Sequence, residues 1–338
     1  MVTIHKLTVL LVALTVLADP AAAETVLRLS NWVPQSHVIT RNILAPWAKD
    51  VVRVTDGRVR VEMLKTPLGK PPAHYDIARD GLADITIGVH GYTPGRFILT
   101  QIAELPFLSD SAEALSVAYW RVHERYLAPH GEHRGVHLLA LWTHGPGHIF
   151  NAKRDILTVA DLDGLKFRVG GASVSRISDA LGTVGIPVPA TKAYELLSNG
   201  VADGIYFPAE SIEFFNLTPF MHHGTLIPGG LYNASFFLIA NTDSWRKITV
   251  ADRDAIMAVS GEVLAKRAGI AWDHSDHAAM QALMAAGTAL TLAETPMIQE
   301  LQYRLAFAEA DWVANASDAG ADAALALAAL RTEIEGYR

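Results

Sequence analysis

Apolar and polar positions along this chain follow two alternating periods. Residues 25–32, "TVLRLSNW", alternate as a half-buried strand does. "NILAPWAKDVVRVTDG" then spaces Ile43, Leu44, Trp47, Val51 and Val52 at helical intervals, with Gly57 as a stop. "RVRVEML" (58–64) alternates again. "AHYDIARDG" reads as a short helix closed by Gly81, and "ADITIGVHG" as the strand that follows. This β-α-β-α-β order predicts an α/β sheet with helices on both faces.

The same grammar restarts near residue 135. "GVHLLALW" is a buried strand, "HIFNAK" is strand-like, and "TVADLDG" is a capped turn with a short helix. "LKFRVGG" is a strand ending in glycines, and "SVSRISDALG" and "ATKAYELLSNG" are helices stopped by Gly182 and Gly200. "ADGIYFP" is a strand. From Ser244 the pattern is mostly helical: 250–268, a long stretch through Leu283, Pro296 to about Asn315, and an Ala-rich final helix. Two phrases nearly repeat, "RDGLADIT" from Arg79 and "SNGVADGI" from Ser198. In both, a helix stops on Gly and a strand begins on Ala-Asp. That places one α/β unit in each of two lobes, although such junctions also recur by chance in α/β proteins.

Composition narrows the class. Lys6, the short apolar run 7–17 and the small pair Ala21 and Ala23 form a secretory signal over residues 1–23, cleaved after Ala23. The run is too short for a membrane anchor. The chain has no cysteine, so disulfides and thiolate metal sites are excluded. A lipoprotein anchor needs a cysteine where Glu24 stands, so a free periplasmic protein is expected. The 315 residues left after cleavage exceed one ordinary domain. A net charge of −7 gives no general attraction to nucleic acid. No heptad seam argues against a monomer.

An exported, acidic, cysteine-free α/β protein is either a hydrolase or a binding protein. There is no G-x-S-x-G elbow, P-loop or G-x-G-x-x-G, and nothing calls for a cofactor. His274 and His277 with Asp273 and Asp276 have the spacing of a solvated helix face more than of a metal site. Arg168 stands apart. In "DLDGLKFRVGG" alternation sets Lys166 and Arg168 on one face and Leu165, Phe167 and Val169 on the other. A charged Arg on a covered strand needs an anion. That anion is either a substrate carboxylate, which suits the guanidinium fork, or an internal Asp or Glu. His37 and His90 fall in loops after the first and third strands, where α/β sheets place ligands, or in solvent-facing turns.

"LRLSNWVPQSH", "GLADI" with "GYTPGRF" and "ELPFL", "DLDGLKFRV", "AYELLSNGVADG" and "ANTDSWRKI" follow one another in an order and spacing that resemble the solute-binding proteins of TRAP transporters, the DctP-like family. The resemblance covers nearly all of the mature chain. It implies a two-lobed periplasmic binding protein fold with hinge strands and a long helix across both domains. Domain I is expected at 24–145 plus 234–273, and domain II at 146–233 plus 274–338. It implies a cleft that closes on a small organic carboxylate and delivers it to a membrane permease.

The family's carboxylate-binding arginine falls on Arg168. A second family arginine is replaced by His148, with Asn151 following, and a family Glu and Asn are replaced by Tyr206 and Phe207. These departures remove a cation and an amide and bring in rings. The expected ligand is a monocarboxylate with an apolar or aromatic body, held by Arg168 with His148 or Asn151. Trp32, Tyr92, Trp142, Tyr206, Phe207 and Phe236 would form the walls, unless they are ordinary core. The alternatives are a C4-dicarboxylate or 2-oxo acid ligand, a sensor-only receptor, and an exported hydrolase.

Overall fold

The computed structural model describes residues 24–337. The expected signal over 1–23 lies outside them. Among the described residues eleven strands make two sheets. The first takes β1 (Thr25–Ser30), β2 (Val59–Met63), β3 (Ile85–Val89), β4 (Val136–Thr143) and β10 (Ser235–Asn241), in the order β2-β1-β3-β10-β4. The second takes β5 (His148–Asn151), β6 (Lys166–Val169), β7 (Val184–Pro187), β8 (Gly204–Phe207), β9 (His223–Leu226) and β11 (Ala289–Leu292), in the order β11-β9-β5-β8-β6-β7. β10 runs antiparallel to β3 and β4, while β1 pairs with its neighbours in parallel. The fold is two-lobed α/β.

The repeated phrase closes the same local structure twice. Gly81 and Gly200 hold positive φ after helices His74–Arg79 and Ala193–Ser198. Each lets the two following amides return to one helical carbonyl, Ile77 in the first case and Leu196 in the second. The aspartates then tie the new strand to its neighbour. Asp84 accepts from the Arg28 amide at 2.8 Å, and Asp203 accepts from the Lys166 amide at 3.0 Å. The Asp84 and Asp203 amides in turn donate to the Arg28 and Lys166 carbonyls. β1 and β6 are therefore equivalent strands, and two residues on from these ties Ser30 in one lobe corresponds to Arg168 in the other.

Two of the chain's crossings between the sheets, β4 to β5 and β9 to β10, run on short segments that pair with each other. The Gly147 amide donates to Tyr232 O at 2.9 Å, and the Leu231 amide donates to Gly147 O at 2.8 Å. A Cβ on Gly147 would overlap the Tyr232 ring. This ribbon is the hinge. Helix Gly261–Ala285 touches both lobes: it packs on helix Ala112–Val122 and β4 of the first, and on helix Ala209–Phe214 of the second.

Several readings of the sequence need correction. The helix expected over 250–268 breaks at 258–260 into Val250–Met257 and the 25-residue Gly261–Ala285. A boundary at 273 falls inside the second piece. The block 274–338 does not pack as one unit: helix Ala323–Gly336 lies on helix Ala112–Val122 of the first lobe, and its Leu327, Leu330 and Ile334 join that lobe's core. β7, β9, β10 and β11 were not read as strands. No described helix is long and apolar enough to cross a membrane.

Candidate ligand-binding site

The carboxyl ends of β1, β3, β6 and β8 meet the hinge around one pocket. The loop after β1 supplies Trp32 and His37, and the turn after β3 supplies Tyr92. Arg168 comes from β6 and Phe207 from the end of β8. The hinge and β10 add His144, Tyr232 and Phe236, and the long helix adds Trp272.

Arg168 is where strand alternation puts it. Phe167 and Val169 enter the second lobe's core, so Arg168 faces the cleft. It is 1% exposed. Its Nε donates to Val188 O at 2.9 Å, and its guanidinium carbon sits 4.6 Å over the Phe207 ring. Nη2 is buried without a hydrogen-bond partner, and no ion pair to Arg168 exists among the described residues. A buried charged donor left open is costly, and a ligand carboxylate would close it. The internal Asp or Glu considered from the sequence is not there.

The other titratable groups of the pocket carry little positive charge. Burial pulls the His37 pKa down to about 3. Its Nδ1 accepts from the Ile39 amide at 3.1 Å, and its Nε2 lies 3.7 Å from Glu210. Burial, assisted by the Arg168 charge, pulls His144 to about 4. His144 Nε2 accepts from the Ala234 amide at 3.0 Å, and Nδ1 bonds the Gly145 carbonyl, which assigns the neutral tautomer. Among the described residues lining the pocket, Arg168 is thus the one cation near neutral pH.

The walls are rings. Trp32 and Tyr92 lie 5.9 Å apart, and Trp272 lies 6.1 Å from Phe236 and 5.9 Å from His37. The indole nitrogens of Trp32 and Trp272 are buried without partners. Three contacts across the cleft show the lobes closed. Tyr92 Oη accepts from the Ala190 amide at 3.0 Å, Ser173 Oγ donates to Glu104 at 2.9 Å, and Gly171 lies against Gly91.

Six of the residues named from the sequence line this pocket together: Trp32, His37, Tyr92, Arg168, Phe207 and Phe236. Five do not. Trp142 stacks behind Phe236 at 5.7 Å, inside the core. Tyr206 neighbours Phe207 on the strand, so it points to the opposite face, stacks on Phe167 at 4.6 Å and bonds Thr183. His148 spends Nδ1 on the Ile227 amide at 3.1 Å. Asn151 caps its own turn through the Lys153 and Arg154 amides. His90 bonds Ser235 and His133 and packs on Phe97 and Phe237 beneath the first sheet. Glu104, His144, Tyr232 and Trp272 were missed. Glu104 lay in the quoted "ELPFL", but nothing in that string turns its side chain to the cleft. Among the described residues no group of three or more acidic, His or Cys side chains could hold a metal.

Residues 29–309 match the family model described as bacterial extracellular solute-binding protein, family 7. The chain belongs to that family. It is a TRAP-type periplasmic solute-binding protein, as the order of its motifs led us to expect. It is similar to a TRAP periplasmic solute-binding protein from Bordetella bronchiseptica solved with bound (R)- and (S)-mandelate. Identity is 40%, the TM-score is 0.91, and 93% of this chain and 99% of that one are covered. A marine-metagenome TRAP protein described as specific for aromatic acid ligands, solved with metahydroxyphenylacetate, is 30% identical with a TM-score of 0.86 over 93% and 99% of the two chains. The outer membrane transporter protein TsaT of Comamonas testosteroni is 29% identical over 98% of each chain.

Proposed function

We propose that this receptor binds a small monocarboxylate with an aromatic body, closes on it, and delivers it unchanged to a TRAP permease, with no bond broken. The observation that carries the reading is the buried, unpaired Arg168 guanidinium inside a ring-walled pocket. One cation balances one carboxylate. A second carboxylate would lie among Trp32, Trp272, Phe207 and Phe236 with no cation to meet it, which a dry cleft penalises heavily. The rings offer apolar area and edge or offset stacking worth about 0.5–1.5 kcal/mol per good pair beyond burial. The similarity to proteins solved with mandelate and with an aromatic acid supports the same class. We take the receptor to be exported by its N-terminal signal and to work as a periplasmic monomer.

The test is a thermal-shift panel on mature protein, unfolded and refolded to strip carried ligand. A ligand at about 100 times its Kd adds roughly 2.7 kcal/mol to stability. Aromatic monocarboxylates should raise the melting temperature. A rise only with C4-dicarboxylates or sugar acids would overturn the ligand class and keep the receptor. Turnover of an ester substrate would overturn the receptor reading.

A further inference from the structure

One group in the pocket has no part in the reading above. Glu104 ends the turn Leu99–Glu104 and is 5% exposed. It belongs to no ion pair among the described residues. Its Oε1 accepts from the Ser235 amide at 3.3 Å and from Ser235 Oγ at 2.8 Å, and its Oε2 accepts from Ser173 Oγ at 2.9 Å. A carboxylate offers about four acceptor positions, so three protein donors leave one open. Glu104 lines the pocket, so the open position belongs to the same cavity as the Arg168 fork.

The two groups flank the same short piece of backbone. A Cβ on Gly91 would lie 3.8 Å from Glu104 Oε1 and 3.8 Å from Gly170 O. A Cβ on Gly170 would lie 3.3 Å from both terminal nitrogens of Arg168. Gly170 thus sits between clamp and carboxyl. A ligand whose carboxylate rests on Arg168 carries its α-carbon substituents in the space these two groups share. Both Glu104 oxygens already have protein partners, and the remaining acceptor position is free to take a ligand donor. Of the tyrosines lining the pocket, Tyr232 donates its hydroxyl to Tyr206 O at 2.9 Å, and Tyr92 makes no hydrogen bond to Glu104.

We infer that Glu104 is a specificity-determining residue that accepts a hydrogen bond from a hydroxyl next to the ligand carboxylate, so that the receptor selects aromatic 2-hydroxy acids over their deoxy counterparts. The inference rests on the aromatic-acid reading and narrows it. A deoxy acid fills the same walls and the same clamp but leaves the Glu104 position bare. Sites built to bond a hydroxyl discriminate strongly against analogues that lack it, because their own polar group is then buried unpaired.

The experiment is isothermal titration of refolded mature receptor with mandelate and with phenylacetate, which differ by the hydroxyl alone. Leaving a buried acceptor without its partner corresponds to about a 5- to 100-fold preference for mandelate. In Glu104→Met the preference should collapse toward one. In Glu104→Gln, which keeps a neutral acceptor, it should fall to an intermediate value, and this variant decides the matter if the methionine variant does not fold. Ser173→Ala removes the bond that ties Glu104 to the second lobe. It should move both acids by the same factor and leave their ratio standing. A wild-type receptor that binds the two acids equally, or a ratio unchanged in both Glu104 variants, overturns the inference. Binding of neither acid, with a dicarboxylate bound instead, overturns the aromatic-acid reading and this one with it.

Discussion

Replacing Arg168 by Met separates a ligand clamp from a structural ion pair. Breaking a buried ion pair by removing one partner costs about 3–5 kcal/mol, because the other charge is stranded. Arg168 strands no charge when it leaves. Removing its unpaired Nη2 relieves a desolvation penalty of about 1–3 kcal/mol. Against this stand the loss of the Nε bond to Val188 at 2.9 Å and of the contact with Phe207 at 4.6 Å. These are worth roughly 1.5 kcal/mol or more and about 0.5–2 kcal/mol. Met fills similar volume, so the terms offset in large part. The empty variant should lose no more than about 2 kcal/mol relative to wild type in a urea titration. The ligand response should vanish, since truncating one side of a buried charged pair at an interface costs 2–5 kcal/mol, roughly 30-fold to several thousand-fold in affinity. A loss of 3 kcal/mol or more in the empty protein would refute the reasoning, because Arg168 would then already be paired within the fold.

Three further outcomes follow from the same geometry. Gly171→Ala places a Cβ 3.0 Å from Gly91 O at the cleft seam, with the backbone extended and unstrained; calorimetry should show weaker ligand binding while the melting temperature of the empty protein hardly moves. Gly147→Ala drives a methyl into the Tyr232 ring at the hinge; chemical denaturation should show a loss of about 1–3 kcal/mol. Stability should peak near pH 6.5–7 in melts across pH. Burial lowers His37 and His90 to about 3 and His137, His144 and His148 to about 4, so their contribution is lost as pH falls below the unfolded value of 6.5. Burial raises Glu210 from 4.5 to about 8 and Asp276 from 3.8 to about 7, so their contribution is fully present only below about pH 4 and is lost progressively as pH rises to those folded values, at up to about 1.4 kcal/mol per pH unit each; below 6.5 the five histidines outweigh them. A melting temperature still climbing from pH 7 to 8.5 would count against neutral acids at these positions.

What was legible in the sequence follows from which elements keep a solvent side. β1, β2 and β6 were readable from their alternation, and β8, buried at every position, from the glycine stop that precedes it. β10, "SFFLIAN", is buried at every position and so shows no period, and helix Ala112–Val122 is buried nearly all round for the same reason. β7 and β11 are four-residue edge strands, too short to carry a pattern. In the site, Arg168 was legible because a charge in a covered strand is an anomaly that demands a partner. Phe207 and Tyr206 were named together, yet adjacent strand residues face opposite sides, and Phe167 sides with Tyr206. Trp272, Tyr232 and Glu104 come from a helix, a hinge and a turn far apart in the chain. Only the closing of one lobe over the other brings them beside Arg168.

The most direct test of the account is a crystal structure of refolded receptor with a bound aromatic monocarboxylate. The account predicts the carboxylate on the Arg168 guanidinium at about 2.7–2.9 Å, with the ring between Trp32, Phe207 and Trp272. A ligand carboxylate held elsewhere, with Arg168 still unpaired, would contradict it.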